Sequence, residues 1–208
     1  MEVPIVSQGV PLDKAKIYEA LFSLIDDTLF AYEPLVSDKE ENIITQSIEI
    51  LLSEKAHVNN NIFTFQNQPK IGIYTPDIGV YLRGSRNYFC IIEAKRLPTP
   101  KDKKRDEREY VIVNKEQFKG NGGIQRFKES KYAQKHSCSI MFGYIQDDNN
   151  IDHWLFKVNA WIMELNDKLW SNADCLTKYK HSKCYRLISR HKRADKTTIT
   201  LHHYWIKL

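Results

Sequence analysis

Two acids and a lysine stand where two extended segments meet. Residues 74–96 read YTPDIGVYLRGSRNYFCIIEAKR, with Asp77 after Pro76 and with Glu93 and Lys95 on either side of Ala94. Residues 75–82 and 87–95 are rich in β-branched and aromatic side chains, and Arg83-Gly84-Ser85-Arg86 carries turn chemistry, so the stretch predicts an antiparallel hairpin. A turn centred near Ser85 sets Asp77 opposite Glu93. Directly opposed side chains have Cβ atoms roughly 4.5–5.5 Å apart, where two carboxylates repel. A divalent cation between them would turn that repulsion into a ligand set. Lys95, two residues from Glu93, shares its face. Residues 88–92 are apolar on both faces, as in a strand covered from two sides, and charges enter only at its end. A solvated strand end would fit the same three residues, so the surrounding elements decide.

Asp13 is placed to cap a first helix with Ile17, Ala20, Leu21, Leu24 and Ile25 at helical spacing. Ser37-Asp38-Lys39-Glu40 reads as a capping box opening a second helix that runs to about Ala56. On that helix Ile44, Ile48, Leu51 and Leu52 make the buried stripe, and Glu41 falls beside it. An acid in a first turn also complements the helix dipole, which is the alternative role for Glu41. A short strand is predicted at residues 62–65, ahead of the central hairpin.

The connection over residues 97–123 is long and opens with Pro98, Pro100 and a dense charge run at 101–109. It reads as a solvated loop or a substrate-facing flap, with a short strand at 110–113. Asn121-Gly122-Gly123 then breaks the chain before a helix at 124–135. A strand follows at 139–146, an apolar helix at 151–170, and two β-like runs at 185–191 and 197–206 around residues 192–196. In the pair His202-His203, strand alternation predicts one packed ring and one solvated ring.

The 208 residues, 42% of them hydrophobic and 12% aromatic, suit one well-buried domain and exclude a disordered chain. The formal charge of +5 favours an anionic partner. Cys90, Cys138, Cys175 and Cys184 are scattered, Cys90 inside an apolar run and Cys138 at the edge of one, which predicts reduced thiols and a cytoplasmic setting. No apolar run approaches a membrane span, and the amino terminus lacks the charged-then-apolar pattern of an export signal, so no membrane partner is expected.

The order helix, strand, strand, strand, helix, strand resembles the PD-(D/E)xK nuclease superfamily, the core shared by many restriction endonucleases. Its motif residues match Pro76-Asp77 and Glu93-Ala94-Lys95, and Glu41 stands where many members carry a helical acid. The resemblance covers residues 37–146, and the 97–123 segment departs from a compact core. It implies an α/β fold with a restriction-endonuclease-like three-layer core, a mixed central β-sheet flanked by helices; outside it, the two closing β-like runs predict a C-terminal β-hairpin within residues 172–208. It also implies a metal-dependent DNA endonuclease, with a role in restriction or defence. Asp77 and Glu93 would bind Mg²⁺, with Mn²⁺ able to substitute. Glu41 and the Ala94 carbonyl would complete the shell, and Lys95 would orient water or phosphate with its own pKa lowered by the metal. Gln125, Arg126 and Lys131 correspond to polar residues that some members present from the following helix, and a homodimer is compatible with the family.

Residues 176–196 hold eight Lys or Arg against the single acid Asp195, with Tyr179, His181, Tyr185 and His191 between them. Such a stretch suits phosphate contacts, which makes Lys192 and Arg193 candidates for binding DNA; a solvated hairpin is the alternative. Arg83 and Arg86, at the turn of the central hairpin, are further candidates. Two other functions fit the same residues: a nucleic-acid-binding subunit that does not cut, and an RNA- or structure-specific nuclease.

Overall fold

The computed structural model describes residues 13–34, 40–100, 105–114, 122–165 and 169–208. Seven strands are β1 (Phe63–Asn67), β2 (Ile78–Leu82), β3 (Tyr88–Leu97), β4 (Cys138–Ile145), β5 (Thr177–Lys178), β6 (Arg186–Lys192) and β7 (Thr198–Lys207). They form one mixed sheet in the order β1-β2-β3-β4-β7-β6-β5. The neighbours β3, β4 and β7 run parallel, while the other pairings are antiparallel. The α-helices among the described residues are α1 (Lys14–Phe30), α2 (Glu41–Val58), α3 (Gly123–Lys128) and α4 (Ile151–Leu165).

Strand alternation builds two cores, one on each face of the sheet. Cys90, Ile92, Ala94, Ile140, Phe142 and Tyr144 pack with the buried stripes of α1 and α2. Ile91, Leu97, Met141, Ile145, Leu201 and Trp205 pack with α3 and α4 through Ile124, Phe127, Trp154 and Val158. The central strands are therefore buried on both faces, and this fixes their register, because a one-residue slip would exchange the two sets.

Most predicted elements are present with shifted ends. Asp13 caps α1, its carboxylate accepting from the Ala15 amide at 2.9 Å. The capping box beginning at Ser37 lies partly outside the described residues, as do residues 101–104 and 115–121 of the long connection. Past the charge run, the connection is held in the core: Tyr110, Val111 and Val113 are buried in the α3/α4 layer. It is not a strand. The Gly123, Ile124 and Gln125 amides donate to the carbonyls of Glu109, Tyr110 and Val111 at 2.9, 3.2 and 2.9 Å, so these carbonyls satisfy the open first turn of α3. The approach needs Gly122, where a Cβ would stand 2.3 Å from Ile112 Cα and 2.4 Å from Ile112 N.

Helix α3 stops at Lys128, short of the expected residue 135, and Ser130 and Ala133 take positive φ values of 55° and 53° in the turns that follow. The C-terminal hairpin belongs to the sheet itself, with β7 between β4 and β6. Both His202 and His203 are consequently buried, against the expectation of one solvated ring, because a central strand has no wet face.

Candidate active site

The site grows from the end of the β2/β3 hairpin. The reversal at Gly84, with φ of +81°, sets the pairs Val80↔Cys90, Gly79↔Ile91 and Ile78↔Ile92. The next position along brings Asp77 to Glu93, as the turn arithmetic predicts. Where the ladder ends, the Asp77 side chain takes the next amide: Ala94 N donates to Asp77 Oδ2 at 2.7 Å. Glu93 and Lys95 lie on the same face of β3 as Ile91 and Leu97, towards α3. The pairs Lys95↔Gly143 and Gly143↔Trp205 put the group at the carboxyl end of the three parallel strands. Open α/β sheets place ligand sites at that end.

Lys95 is enclosed by acids. Its Nζ lies 3.0 Å from Glu93 Oε1 and 3.4 Å from Glu41 Oε1, and it donates to the Ala94 carbonyl at 2.7 Å. Glu41 reaches this point from the first turn of α2, on the opposite layer, and its Oε2 accepts from the Arg96 amide at 3.1 Å. Burial by itself depresses the Lys95 pKa, but Glu93, Glu41 and Asp77 together outweigh it and raise the pKa. These three acids therefore favour the charged ammonium. Burial, then the Glu93 charge, push Asp77 up to about 7.

Arg126 comes from α3. Its Nη1 donates to Glu93 Oε1 and, at 3.0 Å, to the Tyr132 hydroxyl, which donates in turn to the Thr75 carbonyl at 3.1 Å. Beside Glu41, Arg105 clamps Glu109 through two bonds of 2.6 and 2.8 Å, and its Nη2 lies 3.9 Å from Glu41 Oε2. Arg105, Glu109 and Tyr132 were not singled out from sequence. The first two sit in the charge run that reads as a loop, and Tyr132 falls where a helix is expected.

The other expected contacts lie elsewhere. Gln125 is buried, its Oε1 accepting from the Val113 and Gly122 amides at 3.2 and 3.0 Å, so it ties the loop to α3. Lys131 pairs with Glu129. Arg83 and Arg86 are exposed at the hairpin turn. Seven residues separate Arg86 from Glu93, which at about 3.3 Å per strand residue is on the order of 20 Å. Lys192 is exposed and Arg193 buried at the turn entering β7, again at the amino end of the parallel strands. The Arg193 guanidinium donates to the carbonyls of Ala133, Gln134 and His136 at 2.8, 3.1 and 2.8 Å. That commits it to holding the loop after α3.

The expected metal ligands divide in two. Asp77 and Glu93 converge, whereas Glu41 and the Ala94 carbonyl are taken up by Lys95 and the Arg96 amide. Among the described residues no group of three His, Cys, Asp or Glu side chains is arranged to hold a metal ion. Glu93 Oε2, however, is fully buried with no hydrogen-bond partner. An orphaned carboxylate oxygen in the interior is costly unless a cation or donor meets it. Mg²⁺ is usually held by one or two carboxylates, with water and substrate phosphate filling the other positions. The Asp77–Glu93 pair fits that manner of binding.

A second constellation was also not singled out from sequence. Ser189 Oγ lies 2.6 Å from His191 Nε2, and His191 Nδ1 lies 2.7 Å from Asp174 Oδ1. The spacing is that of a nucleophilic triad, but all three side chains are buried and Ser189 is also held by His203 Nε2 at 2.7 Å. His203 Nδ1 meets the Tyr110 hydroxyl at 2.8 Å, which accepts from Trp205 Nε1 at 2.8 Å. One proton order satisfies every member. Trp205 donates to Tyr110, Tyr110 to His203 Nδ1, His203 Nε2 to Ser189, Ser189 to His191 Nε2, and His191 Nδ1 to Asp174. Asp174, which burial would raise, is held down at about 2 by His191 and Lys128, and Lys128 Nζ is 2.5 Å away. Both histidines stay neutral, and the chain is a structural tie between the long connection and the C-terminal hairpin.

Comparison of the chain with protein-family models, with curated proteins and with solved structures found no match.

Proposed function

We propose that this chain hydrolyses phosphodiester bonds in DNA with a divalent metal, Mg²⁺ or Mn²⁺, at a PD-(D/E)xK-type site in a restriction-endonuclease-like core. The observation that carries the reading is the convergence of Asp77, Glu93 and Lys95 at the carboxyl end of β3, with one Glu93 oxygen buried and unpartnered. Asp77 and Glu93 would hold the ion. A bound Mg²⁺ would supply a polarised phosphate and a bound water of lowered pKa.

The chain's own residues then have distinct tasks. Lys95, as its ammonium, would donate a hydrogen bond to a phosphate oxygen or to the attacking water, and so stabilise the charge that develops in the transition state. Glu41 keeps the ammonium in place from the opposite layer, and the Ala94 amide fixes the Asp77 carboxylate. Arg105 and Glu109 form a neutral pair behind Glu41.

Plasmid DNA, single-stranded DNA and RNA, each incubated with Mg²⁺, Mn²⁺ or EDTA, test the reading. DNA cleavage is expected with either metal and not with EDTA. Asp77→Asn and Lys95→Ala should each lower the rate by about two to four orders of magnitude, the usual scale for removing a group that acts on the transition state. DNA bound while no substrate is cut with any divalent ion would instead mark a binding subunit, and cleavage of RNA alone would move the substrate class.

A further inference from the structure

Arg126 makes a contact that phosphodiester hydrolysis does not call for. Its guanidinium lies on Glu93 Oε1, the oxygen already neutralised by Lys95 at 3.0 Å, while Glu93 Oε2 stays bare. Two cations on one carboxylate oxygen and none on the other is an arrangement with one cation to spare. The two cations differ in their freedom. The Lys95 side chain is 6% exposed and ringed by Glu93, Glu41 and the Ala94 carbonyl, whereas that of Arg126 is 24% exposed. Arg126 also rests on a platform, its Cζ 5.2 Å from the centroid of the Tyr132 ring, and that tyrosine is tethered to Thr75, two residues before Asp77. A guanidinium can turn over an aromatic face without losing its packing.

We infer that Arg126 is an exchangeable counter-ion: it sits on Glu93 when the site is empty and turns to a substrate phosphate when a divalent ion arrives, coupling metal and substrate binding. This rests on the reading of Asp77 and Glu93 as a metal-binding pair. A divalent ion and a guanidinium repel one another across a shared carboxylate, so the resting contact weakens metal binding. A phosphate anion offers the guanidinium fork a two-point partner in exchange. Linkage then makes the effect reciprocal: phosphate strengthens metal binding by the same factor as metal strengthens phosphate binding.

The test is Mn²⁺ affinity of the whole chain, by titration calorimetry or Mn²⁺ paramagnetic resonance, with and without a phosphorothioate DNA duplex. In the wild type the duplex should tighten Mn²⁺ binding roughly 5- to 150-fold, the usual range of coupling between sites. Arg126→Gln should bind Mn²⁺ more tightly than wild type without DNA, and the duplex should change its affinity less than about twofold if that coupling is lost. Arg126→Lys, which keeps the charge and loses the fork, should keep the weak resting affinity with a reduced response to DNA. It guards against misfolding of the glutamine variant, as does comparison of melting curves. If Arg126→Gln leaves both the resting affinity and the response unchanged, the exchange is wrong while the metal pair stands. If the wild type binds no Mn²⁺ with or without duplex, both the exchange and the proposed function fall.

Discussion

Gly122→Ala tests whether the long connection and α3 are locked together as described. The added Cβ would stand 2.3 Å from Ile112 Cα, 2.4 Å from Ile112 N and 2.6 Å from Val111 C. All three are backbone atoms, so no side-chain rotation relieves the contact. Carbon atoms pack at about 3.5–4.0 Å, so the two segments must part by roughly 1.2 Å. The bonds from Gly123, Ile124 and Gln125 to the carbonyls of Glu109, Tyr110 and Val111, now 2.9–3.2 Å, would stretch past useful length. At a net ~0.5–1.5 kcal/mol each, their loss costs about 2–4 kcal/mol, within reach of the ~1–3 kcal/mol typical of overpacking. Gly72→Ala is the control: nothing lies within 4 Å of its Cβ, and its φ of +63° limits the cost to ~1–2 kcal/mol of left-handed strain. Urea unfolding followed by tryptophan fluorescence gives both numbers, and hydrogen exchange at residues 123–125 reports the local effect. A Gly122→Ala variant no less stable than Gly72→Ala, with those amides still protected, would refute the packing.

Tyr110→Phe strands the Trp205 indole donor and His203 Nδ1 in the interior, and at ~1–3 kcal/mol per unsatisfied group it should cost about 2–6 kcal/mol by urea unfolding. Nitrogen-15 spectra of the wild type should show neutral His203 protonated on Nε2 and neutral His191 protonated on Nδ1; the opposite tautomer at either ring would contradict the proton order. Burial also sets a pH dependence: it holds His202 at about 3 and lowers His191 and His203, so below pH 6.5 the unfolded chain binds more protons and stability falls. For His202 that loss reaches about 2 kcal/mol by pH 5. Asp77, raised by burial and Glu93, titrates with the opposite sign between pH 7 and 4, so the measurement belongs in an Asp77→Asn background, where stability that holds or rises from pH 7 to pH 5 would count against the buried neutral rings. Arg193→Ala should lower stability by about 2–4 kcal/mol through three lost bonds to carbonyls and leave DNA affinity per folded molecule unchanged, as read by fluorescence anisotropy.

The hairpin and its three polar residues were legible because everything that places them is local. A period of two, a turn with a glycine at positive φ and a strand apolar on both faces define the register from Val80↔Cys90 to Ile78↔Ile92. The irregularity between Val80 and Tyr81 leaves no trace in the pattern and does not disturb the site, since it lies on the turn side. Residues 110–113 misled for a physical reason. Tyr-Val-Ile-Val has the side chains of a strand, but the carbonyls of Glu109, Tyr110 and Val111 are engaged by α3 amides, and a backbone so engaged cannot pair in a sheet. At six residues, α3 is too short to show a helical period, so Tyr132, read as part of a helix at 124–135, lies beyond its end.

A net positive charge says nothing of where on the fold an anion would sit. The stretch at 176–196 holds eight basic residues, yet sheet order decides what they face. Because β7 runs parallel to β3 and β4, the turn that starts it lies at the amino end of those strands, with the Arg83–Arg86 turn. Asp77, Glu93 and Lys95 lie at the carboxyl end. A duplex engaging the acids therefore cannot be gripped mainly by Lys192, Arg83 or Arg86 unless it wraps the length of the sheet. Arg126, by contrast, rests against Glu93 at that end, which is why metal affinity and phosphate affinity should be read together.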